Sequence, residues 1–211
     1  MGHPSQMGAR HRIEPRQVVL DYVLDELTVD DRVLSQDIRL KIVGPEKVCL
    51  LGPNGCGKST LMDRIAGELL ARKDIRCTYM PQNYGEGVSY SMRPEEFLAP
   101  DGDKESITKA RIYLGSMKYI TDEMSHSVSD LSGGQRAKLL LLKAILDKSN
   151  VLLLDEPTRN FSPLSCPAVR KLLSEFPGCI LAVSHDRRFI EEVTPVLYSL
   201  TEKGLVRVYQ K

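Results

Sequence analysis

The chain has 211 residues and a formal net charge of +1. That length suits one domain, or one domain with a small appended lobe, and the charge balance does not call for nucleic acid or a membrane surface as partner. No apolar run approaches the ~18 residues of a membrane span. The five cysteines include no C-x-x-C pair, which argues against a disulfide framework or a zinc site and for reduced thiols in a cytoplasmic protein.

Residues 1–16 are polar and basic, lack an apolar signal core, and are expected to be a flexible lead-in before a single domain over 17–211. His3 and His11 are too isolated for a metal site. Residues 18–20 and 24–29 read as short strands, and Arg39-Leu40-Lys41-Ile42-Val43 alternates as a half-buried strand does. Gly44-Pro45-Glu46 is a turn. A small antiparallel β-layer is therefore expected before the stretch on which the chain is organised.

That stretch is 48–60. The apolar run 48–51 reads as a buried strand, followed by a glycine-rich turn and a helix from Lys58. The spacing Gly52-x-x-x-x-Gly57-Lys58-Ser59 is the P-loop pattern. Glycines at Gly52, Gly55 and Gly57 let backbone N–H groups converge on an anion, and the following helix points its positive end there. Lys58 would reach the β- and γ-phosphates, and the Ser59 hydroxyl would be an Mg2+ ligand.

Helical spacing continues through 59–71, and 77–80 is a short strand ending at Pro81-Gln82-Asn83. Residues 84–130 read as an inserted, mainly helical lobe, with helices near 94–98 and 107–115. Leu131-Ser132-Gly133-Gly134-Gln135 closes the lobe and opens a helix that is apolar nearly all round and ends by Asn150. Residues 151–154 are a buried strand ending in Asp155-Glu156-Pro157, residues 169–176 a helix, and 179–183 a buried strand ending at Ser184-His185-Asp186. A helix over 189–193 and a hairpin around Lys203-Gly204 complete the chain. Apolar strands alternating with helices predict an α/β fold with a mostly parallel sheet covered on both faces.

Lys58, Gln82, Asp155/Glu156 and His185 each follow an apolar strand, so they fall on the carboxyl rim where open α/β sheets bind ligands. The residue types fit phosphoryl chemistry. Asp155 would hold Mg2+ directly or through water. Glu156 would take a proton from attacking water. His185 would contact the γ-phosphate and orient that water, and Gln82 would sense the metal or the water.

Taken together, these motifs resemble those of the ATP-binding cassette ATPases, over nearly the whole chain. Gly52, Pro53, Asn54, Gly55, Cys56, Gly57, Lys58, Ser59 and Thr60 match the Walker A motif, Gln82 the Q-loop, and 131–135 a full LSGGQ signature. Residues 151–156 match Walker B with its glutamate, and His185 the switch histidine. The resemblance implies an ATPase using ATP and Mg2+, with Ser59, Gln82 and Asp155 around the metal. It also implies a head-to-tail pair of cassettes in which Ser132, Gly133, Gly134 and Gln135 of one complete the ATP site of the other.

Asp155-Glu156-Pro157-Thr158 and Ser184-His185-Asp186-Arg187-Arg188-Phe189-Ile190 are similar to the ABC-F branch, whose members act on ribosomes; the alternatives are the nucleotide-binding subunit of a membrane transporter, with a membrane permease subunit as partner, and a non-turnover ATP-gated clamp. Two residues depart from the family. Val29 stands where an aromatic usually stacks on adenine, with Tyr22 as a possible substitute, and Ser162 stands where the D-loop has aspartate.

Overall fold

The computed structural model describes residues 12–85, 90–159 and 161–210. Expectations for residues 1–11 with His3 and His11, for 86–89 of the lobe and for Asn160 lie outside the described residues. The described residues form two compact units, one within residues 1–81, 149–157 and 174–211, the other within residues 82–148 and 158–173.

The first unit opens with a two-stranded antiparallel sheet of β1 (Val18–Val29) and β2 (Arg32–Val43). Each is one long strand, where the sequence suggested two short strands and a strand confined to 39–43. Asp21 does not interrupt β1 because it lies on the exposed face opposite Lys41, while Val19, Leu20, Tyr22 and Leu27 are buried. Asp30 and Asp31, both at positive φ (48° and 60°), close the hairpin with a two-residue turn of the primed type that matches strand twist. Ile13, in the segment read as a lead-in, is 4% exposed and packs into this unit's core.

A six-stranded sheet follows, in the order β4-β5-β6-β3-β7-β8. Its strands are β3 (Lys47–Leu51), β4 (Cys77–Met80), β5 (Val151–Asp155), β6 (Cys179–Val183), β7 (Val196–Thr201) and β8 (Gly204–Val208). The first five neighbours pair in parallel and β8 is antiparallel, as the terminal hairpin predicted. Every residue of β5 and β6 is buried, which explains why both read as unbroken apolar runs.

Helix α1 (Lys58–Leu70) buries Leu61, Met62, Ile65 and Leu69 against this sheet. At about 1.5–3 kcal/mol per fully buried aliphatic side chain, packing rather than helix propensity holds α1, and so the loop before it, in place. Asn150 is not a helix end. It is 5% exposed, and its side-chain oxygen accepts from the Arg76 amide at 2.8 Å while its carbonyl accepts from the Cys179 amide at 3.0 Å, joining the starts of β4, β5 and β6.

The second unit is helical: α2 (Pro94–Leu98), α3 (Lys104–Ser116), α4 (Thr121–Ser125), a 3-10 turn (Val128–Asp130) and α5 (Gly133–Leu146). Most of α6 (Cys166–Ser174) also belongs here. Helix α3 starts three residues earlier than its apolar spacing suggested, because Asp103 caps it, accepting from the Ser106 amide at 2.9 Å. Helix α5 stops at Leu146, with Lys148 in the left-handed conformation (φ 62°). Helix α6 begins before 169 because Pro167 sits in its first turn, where a missing N–H costs nothing, and it ends before Phe176, which Pro177 biases away from helix. Helix α4 and the 3-10 turn are too short to leave a periodic signal. Helix α7 (Arg187–Val193) returns to the first unit, capped by Asp186.

Candidate functional site

In the first unit the parallel strands deliver three motifs to one edge of the sheet. Strand β3 runs into the glycine loop, β5 ends at Asp155, and β6 ends just before Ser184-His185. Gly52, Gly55 and Gly57 all take positive φ (150°, 81° and 104°), a backbone path that side chains with a Cβ resist. Gly57 is also closely packed: a Cβ there would meet Leu27 Cδ2 at 2.7 Å. Because Gly57 is the N-cap, it offers no side chain to the first turn of α1, and that turn carries no acidic residue. The first turn of a 13-residue helix thus has no side-chain cap, an arrangement that suits an external anion.

Lys58 is 6% exposed and folds back over the loop, donating from Nζ to Gly52 O at 2.6 Å and Pro53 O at 2.9 Å. Cys56 Sγ lies 3.8 Å from the same ammonium. Ser59 is exposed in the first turn of α1. Asp155 is 3% exposed at the end of β5.

Glu156 adopts a left-handed backbone (φ 50°), unusual for a residue with a side chain, and its amide donates to Val183 O at 2.8 Å. Its carboxylate meets His185: Oε1 is 2.5 Å from Nδ1, and Oε2 accepts from the His185 amide at 3.4 Å. The other ring nitrogen, Nε2, is 3.2 Å from Gly52 O. A carbonyl can only accept, so Nε2 donates to the glycine loop, and the Nδ1–Oε1 contact shares a proton. Twenty-nine residues separate Glu156 from His185, and no sequence spacing announced this contact.

Tyr22 does not supply an exposed adenine-stacking ring. It is 9% exposed and packed into the core, and burial pushes its phenol pKa up.

In the second unit, Gln82 Oε1 accepts from Arg159 Nη1 at 3.4 Å. Ser132 is the N-cap of α5: its Oγ accepts from the Gln135 amide at 3.2 Å, leaving its own hydroxyl proton to donate. Gln135 answers with Oε1 accepting from the Ser132 amide at 2.9 Å, completing a capping box, and its Nε2 donates to Glu123 Oε1. Tyr119 OH donates to Gln135 O. A Cβ on Gly85 would lie 2.3 Å from Gly133 O, so the stretch after Gln82 abuts the signature turn through bare backbone. Tyr119, Glu123 and Gly85 went unnoticed in the sequence.

Ser132 is exposed at the start of α5 with its hydroxyl proton left to donate, whereas both ends of the Gln135 side chain are used inside the unit. Gln135→Ala is expected to cost about 1 kcal/mol as a lost cap and to lower Tm by about 2–4 °C in a chain of this size. An unchanged Tm in a thermal melt would show that the cap contributes nothing.

Comparison with known proteins identifies the family and the fold. The family model described as "ABC transporter" matches residues 35–159. The probable ATP-binding protein YheS of Escherichia coli K12 is 34% identical over 180 residues, covering 82% of this chain and 28% of that protein. "ABC transporter F family member 2" of Arabidopsis thaliana is 31% identical over 185 residues, covering 84% of this chain and 27% of that protein. The chain thus spans under a third of the length of these relatives. The ATP-binding cassette MJ0796, solved as a dimer in a post-hydrolysis state with ADP and Pi, superposes with a TM-score of 0.70 at 18% identity, covering 91% of this chain and 98% of that one, a likeness of fold. The chain belongs to the ABC transporter family, the ATP-binding cassette ATPases.

Proposed function

We propose that this cassette binds ATP with Mg2+ on the glycine loop and hydrolyses it when two cassettes pair head to tail. The observation that carries the reading is the Glu156–His185–Gly52 chain, which ties a carboxylate to the phosphate loop. Gly52, Pro53, Asn54, Gly55, Cys56, Gly57, Lys58, Ser59 and Thr60 cradle the phosphates. The Ser59 hydroxyl and the Asp155 carboxylate are the oxygen donors Mg2+ takes, alongside phosphate and water, and Gln82 serves as a further oxygen. Bound Mg2+ neutralises phosphate charge. Glu156 accepts the proton of the attacking water, His185 orients it, and Lys58 with the loop amides stabilises charge on the phosphates.

The signature turn supports pairing. Ser132, Gly133 and Gly134 form an anion site on a helix N-terminus, and the unit that holds them contains no phosphate loop of its own. The likeness to an F-family member supports reading the cassette as a cytoplasmic protein of that branch, and action on the ribosome is what the ABC-F resemblance implies. Among the described residues no helix is long and apolar enough to cross a membrane.

The solution mass of the Glu156→Gln protein with and without Mg-ATP tests the pairing. A doubling with Mg-ATP is expected. A monomer with ATP shown to be bound would mean that the signature serves a different cassette. Cosedimentation of the ATP-locked protein with ribosomes at low salt tests the partner, and its absence from the pellet would remove the ribosomal reading.

A further inference from the structure

Lys138 lies one turn beyond the signature, on the face of α5 shared with Gly134 and Gln135. It is 5% exposed. Its Nζ donates to Met117 O at 3.1 Å and to Ser165 Oγ at 3.1 Å, and it lies 4.8 Å from the centroid of the Tyr119 ring. Among the described residues no carboxylate forms an ion pair with it. Burial draws its pKa below the usual lysine range, and the charge of Glu123 works the other way. Burying an ammonium without a counter-ion is costly, and a methionine would fill the same space without that penalty. What a methionine cannot do is donate.

The acceptors show what the donor holds. Met117 precedes Tyr119, whose hydroxyl grips the Gln135 carbonyl. Ser165, itself 6% exposed, receives a second hydrogen bond through Oγ, from the Ser162 hydroxyl at 3.1 Å, and its amide donates to Ser162 O at 2.9 Å. Ser162 occupies the position at which the family's D-loop carries aspartate. One ammonium thus fastens the signature helix to the loop after Glu156, through Ser165.

We propose that Lys138 is a positioning residue for ATP turnover, holding the Ser162 loop in register with the signature turn, and that serine at 162 leaves its ammonium without the counter-charge an aspartate would supply. The inference rests on the reading of the signature as part of a composite ATP site. Ser162 is exposed, so an aspartate there gains a charge partner two hydrogen bonds away without being buried itself.

Two measurements test this. The first is a thermal cycle. Ser162→Asp is expected to raise Tm by about 0.5–4 °C in the wild-type chain, the scale of one exposed charge pair at this length, and to give no rise in the Lys138→Met background. Equal shifts in both backgrounds would break the link between 138 and 162. The second is steady-state ATPase. Lys138→Met and Ser165→Ala are each expected to lower kcat about tenfold with KM for ATP within twofold, since the phosphate loop lies in the other unit. Lys138→Met with full kcat would remove the positioning role; if that variant does not fold, Ser165→Ala decides alone. A wild-type chain without turnover would sink the ATPase reading, and the thermal cycle would still decide the Lys138–Ser162 link.

Discussion

Replacing Glu156 by glutamine will lower ATP turnover by about 10²–10⁴-fold, the usual contribution of a positioned general base, and leave nucleotide binding in place. The geometry makes this substitution clean. With His185 Nε2 donating to Gly52 O, Nδ1 of the neutral ring accepts, so the glutamine NH2 can donate to it where Glu156 Oε1 sits at 2.5 Å, while the glutamine oxygen accepts from the His185 amide. The left-handed backbone at φ 50° suits glutamine as well as glutamate. His185 therefore keeps its contact with Gly52 O, and the loop keeps its shape. What is lost is a group able to hold the proton of attacking water. A phosphate-release assay beside a nucleotide titration checks both halves. Turnover within threefold of wild type would take Glu156 out of the role, whatever the binding result. Lost binding with lost turnover would mean that the carboxylate shapes the loop rather than the reaction.

Some of this arrangement was legible in the chain and some was not, for physical reasons. Buried parallel strands announce themselves because both faces are covered, so 179–183 matches β6 residue for residue and 151–154 matches all of β5 but its last residue. Motifs set by local backbone, such as the glycine loop and the signature cap, were equally readable, because the residues that make them are neighbours. β1 was harder, since Asp21 looks like an interruption until its exposed face and its opposite number Lys41 are known. Contacts between distant segments left no trace in spacing. Glu156 with His185, Gly85 against Gly133 and Lys138 with Ser165 are each made by chain topology, and a one-dimensional pattern carries no record of which loops a sheet brings together. Lys138 was further disguised because its helix is apolar nearly all round, and a lysine in such a run reads as the solvent-facing exception.

Lys58→Ala should abolish measurable nucleotide binding, with a loss of about 10²–10⁴-fold in affinity if two charge-assisted hydrogen bonds of about 1.5–3 kcal/mol each are removed. The ammonium is held by Gly52 O at 2.6 Å and Pro53 O at 2.9 Å, so it is poised over the loop at low conformational cost. A phosphate arriving at the amides of α1 competes with those carbonyls for the same charge, and the lysine exchanges two neutral acceptors for an anionic one, which forms the stronger bond. Alanine removes the charge and also the staple that closes the loop on itself. The two effects separate by measurement. If charge dominates, Lys58→Ala retains its Tm without nucleotide and loses the stabilisation that ATP confers on wild type. If the staple dominates, the melt falls before any nucleotide is added. Wild-type affinity in the alanine protein would place phosphate recognition in the loop amides alone and leave Lys58 a structural part of the turn.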